Sequence, residues 1–201
     1  RGAGAVARRR RCPTEHIIGT VGRSDVTLLA LIRHGPTAWN AEKRAQGRTN
    51  IPLSPEGRAA VETWRAPAAL TDLTIFASPL GRTQETARLL FGPVKTEPRL
   101  IEMSWGDWEG RTINELRATL GEAMTENEAR GFDFRPDGGE SPRDVLVRVQ
   151  SWIDEIAKRA NGVVAVTHLG VIRVVMAAAY DWDMLGKPPV KIRPATAHFF
   201  D

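Results

Sequence analysis

Short aliphatic runs separated by segments of helical character constrain this chain more than any other feature. Runs of strand length lie at 28–32, 73–77 and 163–166, with briefer ones at 94–97 and 196–200. A continuous aliphatic strand must be covered on both faces. Strands that alternate with helices meet that condition as a mainly parallel sheet between two helical layers. The sequence therefore predicts an α/β fold, a three-layer α/β/α sandwich with a mainly parallel sheet.

Helix boundaries follow from local punctuation. Pro36 and Thr37 open a helical segment over 36–44. The next loop carries Gly47, Asn50, Pro52, Pro55 and Gly57, too many breakers for regular structure until Ser54, as N-cap, and Pro55 start a helix to about Ala66. An amphipathic helix over 81–90 is stopped by Gly92 and Pro93, and a shorter one spans 112–120. Residues 121–140 are polar and end glycine-rich, which predicts a mobile lid or cap, with 103–140 as the wider cap or lid candidate. Ser141 and Pro142 begin a long helix with an apolar stripe of Val145, Val149, Trp152, Ile153 and Ile156. It runs to about Ala160, with Asn161 and Gly162 as its stop. The final helix, over 170–180, is apolar around much of its surface.

The net charge of +4 suggests a polyanionic partner until it is located along the chain. Residues 1–25 hold six arginines against Glu15 and Asp25, leaving 22 residues of each sign in the other 176. The body is neutral, so no nucleic-acid partner is expected. We read 1–25 as a flexible basic tail and 26–201 as one domain. Cys12 is the single cysteine, which excludes an intrachain disulfide and suggests a reducing, cytoplasmic location. No apolar run approaches the ~18 residues of a membrane span, so a soluble protein is expected.

The first strand ends in Arg33, His34 and Gly35. In an open α/β sheet that end is where ligands bind, because helix amino termini with free N–H groups face the crevice. A guanidinium fork suits phosphate oxygens, and an imidazole can attack phosphorus. Arg82 in the first turn of the 81–90 helix, Glu102 in the loop after 94–97, and His168 after the 163–166 strand bring related chemistry to other junctions. No GxxxxGK[ST] phosphate loop occurs, which removes P-loop nucleotide hydrolysis.

Six segments in order, RHGPTAWN at 33–40, QGRTNIPLSPEG at 46–57, SPLGRTQETA at 78–87, LIEMSWGDWEG at 100–110, GGES at 138–141 and VTHLGVIR at 166–173, carry a resemblance to the histidine phosphatase superfamily. The resemblance implies a phosphoglycerate mutase-like fold. It implies that His34 is the nucleophile, forming a phosphohistidine through Nε2, and that Arg33, Arg82 and His168 clamp the phosphoryl oxygens. Asn40, Gln46, Gly47 and Leu169 are implied as further phosphate contacts, and Glu102 as the proton donor. Neither metal nor cofactor is implied. Leu169 stands where the family usually has glycine.

In the mutase branch a basic residue follows the proton donor, whereas Met103, Ser104 and Trp105 follow Glu102. The text is more similar to the branch containing α-ribazole phosphatase and broad phosphomonoesterases. The expected activity is hydrolysis of a small phosphorylated metabolite, with phosphoglycerate mutase and a non-catalytic phospholigand-binding module as alternatives. Phe132, Phe134 and Arg135 are candidate substrate contacts within the cap.

Overall fold

The structure, a computed structural model, describes residues 28–158 and 162–201. The basic tail with Cys12, and the helix stop at Asn161, lie outside the described residues. Strands β1 (Leu28–Arg33), β2 (Thr74–Ala77), β3 (Lys95–Thr96), β4 (Gly162–Thr167) and β5 (Ala197–Phe200) form one sheet in the order β3-β2-β4-β1-β5. All pairings are parallel except that of β5, which closes the edge against β1 in the antiparallel sense.

Alternation along β1 explains the layers. Leu29 and Leu31 face a cluster with Val145, Val149, Trp152 and Val171, whereas Ala30 and Ile32 face one with Leu70, Ile75 and Ala87. The first cluster belongs to α7 (Pro142–Ile156) and α8 (Leu169–Tyr180), the second to α3 (Ala68–Thr71) and α4 (Gly81–Phe91). Every residue of β4, the middle strand, is buried, as its unbroken aliphatic text requires.

Differences from the sequence expectation have local causes. The helix expected over 36–44 is a single turn, α1 (Ala38–Ala41), because Lys43 takes a left-handed φ of 59°. Helix α2 (Pro55–Thr63) stops short of Ala66 because Trp64 turns to extended backbone, with Pro67 close behind.

The largest difference is the cap. After α5 (Ile113–Leu120), Gly121 at φ 56° redirects the chain into α6 (Glu122–Glu128), and a 3₁₀ turn follows at Gly131–Asp133. Trp108, Leu116 and Met124 form a small buried cluster of their own, with Trp105 and Phe134 against it. Residues 121–140 thus carry a short helix and a 3₁₀ turn where the sequence offered no regular element. The three buried positions were hard to see because two short helices split them. Phe134 stacks edge-on with Trp105 and Trp108 inside the cap, whereas Arg135 pairs with Asp144 and Phe132 lies under Arg143, both on α7.

Candidate active site

Three neighbouring strands end together and deliver the chemistry. Arg33 is in register with Thr167, the His34 N–H donates to Thr167 O at 3.0 Å, and the Ser78 N–H donates to Val166 O at 3.1 Å. The carboxyl ends of β1, β2 and β4 thus bring Arg33 with His34, Ser78 and His168 to one edge. The rings of His34 and His168 meet edge-on with centroids 5.3 Å apart. Both are buried.

His34 is prepared on one side and open on the other. Its Nδ1 lies 2.7 Å from Gly35 O, and a carbonyl can only accept, so Nδ1 carries the hydrogen and Nε2 keeps a bare lone pair. Burial, then the charge of Arg82, lowers its pKa to about 3; the Gly35 bond opposes them, and the charge of Arg33 adds a weaker lowering still. The arginines thus rank second to desolvation. The result is a neutral imidazole able to act as a nucleophile at neutral pH. Gly35 itself is fixed by donating to Thr86 Oγ1 at 2.9 Å.

Arg82, wholly buried, is aimed by the 46–50 loop. Nη1 donates to Thr49 O and Nη2 to Gly47 O, each at 2.8 Å, while Nε has no partner among the described residues. Nε of Arg33 is likewise buried without one. Desolvation lowers both guanidinium pKa values, and Glu102 partly compensates. Two desolvated cations on one edge suit the spread negative charge of a phosphoryl group.

Sequence reasoning missed what holds the loop. One carboxylate oxygen of Glu109 accepts from the N–H groups of Arg48 and Trp105, and the other from the N–H and hydroxyl of Thr49. Gly47 has φ 49°, and a β-carbon there would collide with Glu109. The WEG text holding Glu109 was visible, but nothing local tied it to residue 82.

The carboxyl of Glu102 accepts from Met103 N at 2.8 Å and Gly170 N at 3.2 Å. Desolvation raises its pKa, outweighing those bonds and the nearby Arg82 and Arg33. A carboxyl with its proton retained can act as a general acid. Arg148 and Arg48 both donate to Glu102 O and both pair with Glu140, bracing the backbone behind it.

The remaining sequence candidates are placed less directly. Asn40 Oδ1 accepts from Thr37 N, closing the cap of α1, and Gln46 Oε1 accepts from the Thr37 hydroxyl. Gly47 holds Arg82 through its carbonyl. Leu169 begins α8 directly after His168, its N-cap. The bonds of Asn40, Gln46 and Gly47 in this structure are to Thr37 and Arg82.

A mostly parallel α/β sheet with two histidines, two arginines and a carboxyl near its carboxyl edge is the kind of arrangement that suits phosphoryl transfer. Over residues 29–198 the chain matches the family model of the histidine phosphatase superfamily (branch 1), and it belongs to that family. A relative described as a probable phosphoglycerate mutase, GpmB of Enterobacter, is 36% identical over 138 residues. That match covers 66% of this chain and 64% of the relative, so the chain spans less than two thirds of that protein. Glucosyl-3-phosphoglycerate phosphatase of Mycolicibacterium vanbaalenii is 34% identical over 182 residues, 80% of each. Among solved structures, a phosphoglycerate mutase from Thermus thermophilus superposes with TM-score 0.70 at 34% identity, covering 87% of this chain and 93% of that one. Among the described residues no helix is long and apolar enough to cross a membrane.

Proposed function

We propose that the chain hydrolyses small phosphomonoesters through a phosphohistidine on His34, with Glu102 as proton donor and no metal in any step. The lone pair of Nε2 attacks phosphorus, the ester P–O bond breaks, and Glu102 protonates the departing alkoxide. The carboxylate so formed then takes a proton from water. The water oxygen attacks phosphorus, the P–N bond breaks, and phosphate leaves a neutral imidazole behind. Arg33, Arg82 and His168 face the equatorial oxygens, where charge is greatest in flight.

The observation that carries this reading is the bare Nε2 of His34, locked by Gly35 O and set among desolvated cations. Quenching in alkaline detergent after reaction with a phosphate-labelled substrate should trap label on the wild type that is stable to base and released by acid. Label persisting in His34→Ala refutes the mechanism. Phosphoglycerate mutase relatives favour a second reading, isomerisation of a phosphorylated acid. A coupled assay with 3-phosphoglycerate, with and without 2,3-bisphosphoglycerate, separates the two. The absence of a cation directly after Glu102 supports hydrolysis.

A further inference from the structure

His168 and Ser78 are both wholly buried, and Nε2 of the imidazole lies 2.7 Å from the serine Oγ. The other ring nitrogen, Nδ1, is buried without a partner among the described residues. Which nitrogen carries the hydrogen follows from the serine's own bonds. Its backbone oxygen is taken by Thr83 Oγ1 and Gln84 Nε2, and its Oγ already accepts, weakly, from Leu80 N at 3.4 Å. The hydroxyl hydrogen still needs an acceptor, and among the described residues Nε2 is the one bonded to it. If Nε2 were the donor instead, a buried hydroxyl hydrogen would be left unmet, at a cost of about 1–3 kcal/mol.

We propose that Ser78 is a positioning residue that fixes His168 as its Nδ1–H tautomer, so that the histidine offers phosphate an uncharged N–H donor. Phosphate oxygens can only accept. A lone pair at Nδ1 would repel them, whereas an N–H binds them. Burial, then the neighbouring His34 and the arginines, opposes a positive charge on the ring. The hydroxyl thus supplies through tautomer choice what protonation would otherwise have to supply. In the sequence Ser78 stands only as the first residue of the SPLGRTQETA segment, with nothing local to tie it to residue 168.

This inference rests on the phosphate site proposed above, and its test reads the tautomer without turnover. Long-range 1H–15N correlation spectra of the ligand-free chain at pH 7 distinguish Nδ1–H from Nε2–H, with the His168→Gln spectrum assigning the signals. Wild-type His168 should show the Nδ1–H pattern, and Ser78→Ala should lose it. Inorganic phosphate should bind about tenfold more weakly to Ser78→Ala, near the effect of one bond to a charged group, and Ser78→Thr, which keeps the hydroxyl, should restore it. An Nε2–H pattern in the wild type, or a pattern unmoved by Ser78→Ala, overturns the proposal. An Nδ1–H His168 in a chain that forms no phosphohistidine sinks the phosphatase reading alone. An Nε2–H His168 in a chain that forms it sinks this one alone.

Discussion

Gly170 tests the role of Glu102 without touching either charge. It lies in the first turn of α8 with its N–H on Glu102 Oε2, and a β-carbon built there sits 3.2 Å from the carboxyl carbon and closer still to Oε1. Optimal separation is about 3.5–4 Å, so in Gly170→Ala the carboxyl must retreat by about 1 Å. Displacement on that scale costs about a hundredfold in rate when the group takes part in the chemistry. The helix itself gains from the change, since alanine is favoured over glycine by up to about 1 kcal/mol in a helix interior. The melting temperature should accordingly hold within a few degrees. Steady-state kinetics on two substrates give the decisive comparison. With an alkyl phosphate, whose leaving oxygen must be protonated, kcat/KM should fall about a hundredfold. With p-nitrophenyl phosphate, whose leaving group departs as a stable anion, the loss should be much smaller. Equal losses on both substrates, or none on either, would refute the reasoning that Glu102 delivers the proton from a position fixed by α8.

Arg82→Lys replaces a fork by a point charge and leaves the Gly47 and Thr49 carbonyls short of a donor. We expect kcat/KM to fall at least about a hundredfold and stability by about 2–3 kcal/mol, read by kinetics and thermal melting. Trp108→Ala opens the cap cluster and should cost about 3–5 kcal/mol by denaturant titration, with phosphohistidine formation retained below the melting temperature. Because the folded pKa of His34 lies below that of an exposed histidine, the unfolded chain takes up its proton first on acidification. The stabilisation from that group is complete above about pH 6.5 and is lost as pH falls towards about 3, and His34→Asn should flatten this part of the stability profile. Glu102, raised by burial, has the opposite sign: its contribution is complete below the ordinary glutamate range and is lost as pH rises through the raised value. The alkaline limb of kcat/KM should disappear in Glu102→Gln.

The sheet was legible because its signals are local. Strand-length aliphatic runs in β1, β2 and β4, the Ser54 and Ser141 caps, and the breaker at Gly92 all sit where the fold uses them. The candidate constellation was legible for a related reason, since every member but the loop residue Glu102 lies where a strand ends or a helix begins. What stayed hidden depends on contacts between distant segments. Glu109 steers Arg82 through carbonyls at 47 and 49, and Ser78 governs a histidine 90 positions away. The packing of the cap was not legible because its polar text conceals Leu116 and Met124, buried positions that acquire meaning only once α5 and α6 pack together.

No single stretch of chain supplies the whole pocket. His34 is bonded through its backbone to Thr167, Arg82 hangs from the 47–49 loop, and Glu102 leans on Gly170. Partly organised chains made during refolding should therefore be inert, because any fragment lacking β4 has no floor for the imidazole. Return of turnover after dilution from denaturant becomes a clock for the last docking event, trailing the recovery of tryptophan fluorescence and never preceding it.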